Sequence, residues 1–183
     1  PEQSDTDVSV EQIGRRINEE LVATWGNLVN RVLSMVHRTC DGAVPTADGR
    51  TVDDLALLEA VDEALATVTT QIQRVELRAA LRTGMGAAAA VNAYLNVMEP
   101  WKLAKADTDR ARVVLGTALA AVSGVRVALA PYLPFSTVAL DDVLGPVEGW
   151  ERREPQPGSP VGKPTPLFAK VDLDMLLSDR DDG

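Results

Sequence analysis

Proline donates no backbone hydrogen bond and crowds the turn before it, so its placement fixes where helices stop. In this chain Pro100 falls inside "NAYLNVMEPWKLAKADTDRAR" (residues 92–112), where it closes a helix-forming run and is followed at once by Trp101, Lys102 and, a turn later, Lys105. Pro131 and Pro134 close the next run, and six of the eleven prolines crowd into residues 146–166. Between these stops Ala, Leu and Val abound and aromatics make up only 4%. That composition favours helices packed through small and aliphatic side chains. The expected fold is all-α: an antiparallel helix bundle over residues 1–145, then a Pro-rich connector and extended C-terminal tail over residues 146–183 that docks on the bundle.

Local signals place the helices. Ser9 with Gln12 three residues on is a capping-box pattern. Helical spacing then runs to about Cys40, with Gly26 predicting two helices or a bend near residues 24–26. Residues 41–51, "DGAVPTADGRT", read as a loop. A second run covers about 52–98, with a break near 72–75 and a small-residue surface at 87–90. Asp107 or Thr108 caps a helix over about 109–130, and Ser136 caps a short helix that stops at Gly145. Leu167 and Phe168 return apolar surface to the tail and are expected to bury against the bundle.

The 183 residues suffice for one domain with a proper core. No apolar run approaches the roughly 18 residues needed to span a bilayer, and no secretory signal pattern opens the sequence. The missing initiator Met reads as a processed product or a piece of a longer protein. A single cysteine excludes an internal disulfide, a single histidine leaves little for a metal site, and both suit a reducing, cytosolic setting. The net charge of −9 argues at first against nucleic acid. However, residues 1–8 and 171–183 account for −7 of it, leaving a near-neutral body that can hold a basic patch. These acidic ends have few apolar side chains and are expected to add little to stability.

Catalytic equipment is scarce. There is no glycine-rich phosphate loop and no paired Cys/His metal spacing. His37 and Cys40 lack a third orienting group and read as a helix-end pair. Asp53–Asp54 and Asp141–Asp142 are adjacent and so point about 100° apart on a helix; they read as helix-start and surface residues. Two other features stand out. Asn27, Arg31, Ser34 and Arg38 share one helix face, either a solvated surface or a strip of donors suited to phosphates and base edges. Trp101, beside a helix-ending proline and two lysines, is either a plug at the end of the bundle or an exposed platform for an unpaired base.

The segments "ELVATWGNLVNRVLSM" (20–35), "NAYLNVMEPWKLAK" (92–105) and "LAPYLPFS" (129–136) resemble, in order, the C-terminal region of bacterial methionyl-tRNA synthetases, and "PLFAKVD" resembles the segment that follows that family's bundle. The resemblance covers nearly the whole chain. It implies a class I synthetase anticodon-binding helix bundle that recognises the CAU anticodon of tRNA(Met). By its motifs, the Trp after Pro100 looks like the family's base-stacking residue, and Asn27 with Arg31 look like its base-reading pair. Ser34 and Arg38 rest on helix geometry alone, and Lys102 and Lys105 on their place beside Trp101. The adenylate-forming motifs written HIGH and KMSKS are absent. No catalytic residue, metal or cofactor is therefore expected in this chain; ATP and Mg would serve the parent ligase. The partners implied are tRNA(Met) and the parent's catalytic domain, with neither DNA nor membrane. The rival readings are a free-standing paralogue acting as a protein-interaction or regulatory module, and a bundle from a cysteine, valine or leucine synthetase.

Overall fold

A computed structural model describes residues 9–173. The acidic ends, residues 1–8 and 178–183, whose dispensability the sequence suggests, lie outside the described residues. The described chain is helical, with no strand: α1 (Val10–Arg16), a π-helical segment (Ile17–Gly26), α2 (Asn27–Thr39), α3 (Val52–Gln73), α4 (Leu77–Met98), α5 (Pro100–Ala106), α6 (Thr108–Leu129), α7 (Pro134–Val138) and α8 (Asp141–Leu144).

The long helices alternate in direction. Thr83 on α4 donates to Gln71 on α3 (2.9 Å), while Arg110 at the start of α6 reaches Asp54 at the start of α3. Asn92 and Asn96 on α4 meet Thr24 and Arg31 in the same order, so α4 runs alongside α2. The centre is α6. Its Ala, Val and Leu residues recur all round the axis, and a helix apolar on every side must be buried. Residues 114–129 of α6 are all buried. By length and composition α6 could cross a membrane, contrary to the sequence expectation that no run comes close; 89% of its apolar window is instead buried inside the bundle.

Residues 10–39 are continuously helical, and the change from the π-helical segment to α2 falls directly after Gly26, where the sequence places a division or bend. The glycine also serves close approach, since a Cβ there would sit 3.1 Å from Cδ2 of Phe168. Two expectations need correction. Ser136 is not a cap: α7 starts at Pro134, and the Ser136 hydroxyl donates back to the Leu133 carbonyl (3.0 Å). The apolar stretch to Gly145 forms two short helices, α7 and α8. Other signals hold. Ser9 accepts from the Gln12 amide (3.1 Å), and Asp107 caps α6 by accepting from the Arg110 amide (2.9 Å). Residues 74–76 form the turn between α3 and α4, where Val75 takes φ +60°.

After α8 the chain crosses the bundle as an extended strap. Trp150 Nε1 donates to Thr69 (2.5 Å), Arg152 pairs with Asp62 (2.9 Å), and Glu154 accepts two bonds from Arg50 (2.7 and 2.9 Å). Ala43 and Pro160 form an isolated antiparallel bridge. Leu167 and Phe168 pack against the core, and Asn18 clamps Val171 by donating to its carbonyl (2.9 Å) and accepting from its amide (2.8 Å).

Candidate nucleic-acid interface

Helix α4 ends because Glu99 adopts a left-handed conformation, φ +45° and ψ +53°. Pro100 then occupies the first position of α5, where its missing N–H costs nothing because the first helical amides lack partners anyway. The sequence reading left residues 100–107 outside any helix. Instead the good helix formers after Pro100 restart one at once, and the Lys102 and Leu103 amides bond the Glu99 carbonyl (2.8 and 3.1 Å). Pro100 itself is buried, so it orients the turn from beneath. Trp101 projects from that turn with 38% of its surface exposed, so part of the ring is open to solvent.

The turn and α2 meet here. The Arg31 guanidinium lies over the Trp101 ring, 4.7 Å from its centroid, a cation–π distance. One of its nitrogens donates to Asn96 Oδ1 at 3.0 Å. Asn27 is exposed one turn earlier on the same face. Further along, Arg38 is exposed and its Nε donates to the Ser34 carbonyl (3.3 Å). Lys102 is paired with Glu99 at 2.7 Å, whereas Lys105 is exposed and carries no ion pair among the described residues. The geometry thus joins Trp101 to Arg31 directly, with Asn27 adjacent. Ser34 and Arg38 continue the stripe away from the ring.

Beneath this turn lies a buried polar network. Asp54 is fully buried, which corrects its reading as a surface residue. It accepts from the Tyr94 hydroxyl, from two Arg110 nitrogens (2.5 and 2.9 Å), and from the amide and hydroxyl of Thr51 (2.7 and 3.0 Å). Burial alone would raise its carboxyl. The Arg110, Tyr94 and Thr51 donors outweigh that and hold it down to about 2. Burial and the neighbouring carboxylate push the Tyr94 hydroxyl up, so it stays a donor. The network ties the starts of α3 and α6 to the end of α4, fixing the platform that carries the Glu99–Trp101 turn. Asp141 stands at the start of α8, partly exposed as expected, and accepts from Arg126, a side chain only 2% exposed.

Sequence reasoning missed Asn96, Tyr94, Asp54 and Arg110. One signal was available: Thr51 with Asp54 three residues later is a capping box, and it forms. Nothing local marks Arg110 or Asn96, because their partners lie 56 and 65 residues away. His37 and Cys40 form no reactive pair. The His37 Nε2 bonds the Gly162 carbonyl (2.8 Å), and burial pushes the Cys40 thiol up, Arg112 opposing and Asp41 adding to it. Among the described residues no three His, Cys, Asp or Glu side chains gather as a metal site. The face is equipped to stack a ring and donate hydrogen bonds.

Residues 44–176, which include Trp101, match the anticodon binding domain of methionyl tRNA ligase. The methionine–tRNA ligase of Roseiflexus sp. (strain RS-1) is 37% identical over 210 residues, covering 98% of this chain and 35% of that protein. That of Corynebacterium urealyticum is 35% identical, covering 96% and 36%. The apo methionyl-tRNA synthetase of Mycobacterium tuberculosis superposes with a TM-score of 0.85 at 30% identity, covering 92% of this chain and 36% of that one. The chain thus spans about a third of the length of these relatives, and it belongs to the family of methionyl-tRNA ligase anticodon-binding domains.

Proposed function

We propose that this chain recognises the CAU anticodon of tRNA(Met) on behalf of a methionine–tRNA ligase. The observation that carries the reading is the half-exposed Trp101 with the Arg31 guanidinium 4.7 Å over its ring. An unstacked base needs an aromatic face and edge-reading donors in one place. Trp101 stacks on the splayed cytosine. Asn27 offers an amide that both donates and accepts, and Arg31 keeps the donors that Asn96 does not use, so the pair reads base edges. Pro100 holds the angle of the ring from below. Arg38 and Lys105 contact the backbone, Lys102 joins them by exchanging Glu99 for phosphate, and Ser34 adds a hydroxyl on the same face.

The parent protein would ligate methionine to tRNA in the cytosol, with ATP and magnesium held outside this chain. Titrating the chain with a CAU stem-loop, and with one whose cytosine is replaced, tests the proposal. The expected result is binding to the first and at least tenfold weaker binding to the second. Equal affinities would overturn it.

A further inference from the structure

Helix α2 divides into three arcs at about 100° per residue. Leu28, Val32, Met35 and Val36 are buried in the core. Gly26 and His37, eleven residues apart and so nearly in line, both meet the C-terminal strap: Phe168 packs on Gly26, and His37 bonds the Gly162 carbonyl at 2.8 Å. The stripe from Asn27 to Arg38 falls between these arcs. One edge of the stripe is the Trp101 side, because Arg31 meets that ring. The other edge is the strap. The stripe is therefore flanked by α5 on one side and by residues 162–171 on the other.

The strap side carries two cations. Lys163 follows the tether at Gly162, and Lys170 precedes Val171, whose amide and carbonyl are both held by Asn18. Both lysines are exposed, and neither has an ion pair among the described residues. Cations elsewhere on the bundle are mostly neutralised, as Arg50, Arg110, Arg126 and Arg152 each face a carboxylate. Seven residues of extended chain separate the two lysines, at most about 25 Å. Tethers at Gly162 and Val171 place them towards opposite ends of the Asn27–Arg38 stripe. Their backbone is already fixed, which lowers the ordering cost of holding a ligand.

We propose that the strap forms the second flank of the RNA interface, with Lys163 and Lys170 binding phosphates of the strand whose loop sits on Trp101. This rests on the reading of the Trp101 face as an RNA interface. It adds a contact surface on the opposite side. Phosphate contacts carry no sequence information, so these lysines raise affinity for every stem-loop alike.

The test is the salt dependence of CAU stem-loop binding by the chain and its Lys163→Ala, Lys170→Ala and double variants. Arg82→Ala serves as control, an exposed cation without an ion pair among the described residues, on α4, which forms neither flank of the stripe. Each lysine variant should make the log–log slope shallower by roughly 0.7–0.9, the double by about twice that, equally for cognate and cytosine-replaced loops. Thermal unfolding and the Arg82→Ala slope should stay at the wild-type value. An unchanged slope in the double variant, while Trp101→Ala still weakens binding, would leave the strap a purely structural element and overturn the inference alone. An equal change in Arg82→Ala would also overturn it, as a general charge effect. Normal binding by Trp101→Ala would remove the underlying site, and the strap inference with it.

Discussion

Replacing Asp54 by Asn removes one charge from the fully buried network under the Trp101 turn and leaves its shape almost unchanged. Breaking a buried ion pair from one side costs roughly 3–5 kcal/mol, because the remaining charge loses its partner. The Arg110 side chain is 21% exposed and can draw in water, which puts the expected cost near the low end, about 3 kcal/mol. The depressed carboxyl leads to a similar figure. The folded carboxyl lies at about 2 against an ordinary 3.8, which corresponds to roughly 2–3 kcal/mol. Because the folded value is the lower one, this contribution is fully present above about pH 4. It is lost as pH falls towards 2. Urea unfolding followed by helical circular dichroism should show the Asp54→Asn midpoint far below wild type at pH 7, with the gap closing as pH drops through that window. The exposed neighbour Asp53 provides the control, with Asp53→Asn expected within about 0.5 kcal/mol of wild type. A loss below about 1 kcal/mol for Asp54→Asn, or a gap that does not close in acid, would refute the reasoning.

Two further outcomes concern packing. A Cβ on Gly124 would lie 2.5 Å from Val61 Cγ1 and 3.1 Å from Arg152 Cβ, so Gly124→Ala should lower the unfolding free energy measured in urea by about 1–3 kcal/mol despite the helix preference for Ala; a stabilised variant would show that the strap and α3 yield freely. Truncation after Pro166 removes Leu167 and Phe168 from the core and the Val171 clamp from Asn18. It should lower the thermal midpoint by several degrees, a loss of about 1–3 kcal/mol, and an unchanged midpoint would contradict the seating of Phe168 on Gly26.

The bundle was legible because its signals are local. Apolar spacing, the Ser9 and Asp107 caps and the proline stops each act within a few residues, and the observed helix ends follow them. Gly26 was legible only in part, because a glycine in a helical run has two meanings: a division, or room for a neighbour. The neighbour, Phe168, lies 142 residues away. Asp54 misled for a related reason. Its pairing with Asp53 is visible in the sequence, whereas its burial depends on Tyr94 and Arg110 arriving from two other helices. On the candidate face, the spacing alone left Trp101 equally suited to a plug or a platform. The restart of helix at Pro100 leaves that ring partly exposed beside Arg31, a placement no local spacing shows. The docking of Leu167 and Phe168 was legible, but the rest of the strap's course was hidden, since its ties to Thr69, Asp62, Arg50 and Asn18 are long-range pairs of ordinary polar residues.

The most direct test of the account is a single variant, Trp101→Ala, measured twice. Stacking of one base on an aromatic ring is worth roughly 1–3 kcal/mol. With the ring exposed at the turn, CAU stem-loop affinity should fall about tenfold or more while thermal unfolding stays close to wild type. A ring that plugged the bundle would cost roughly 3–5 kcal/mol of stability when cut to Ala. Severe destabilisation would therefore contradict the platform, and a stable variant that binds the stem-loop with wild-type affinity would remove Trp101 from the site.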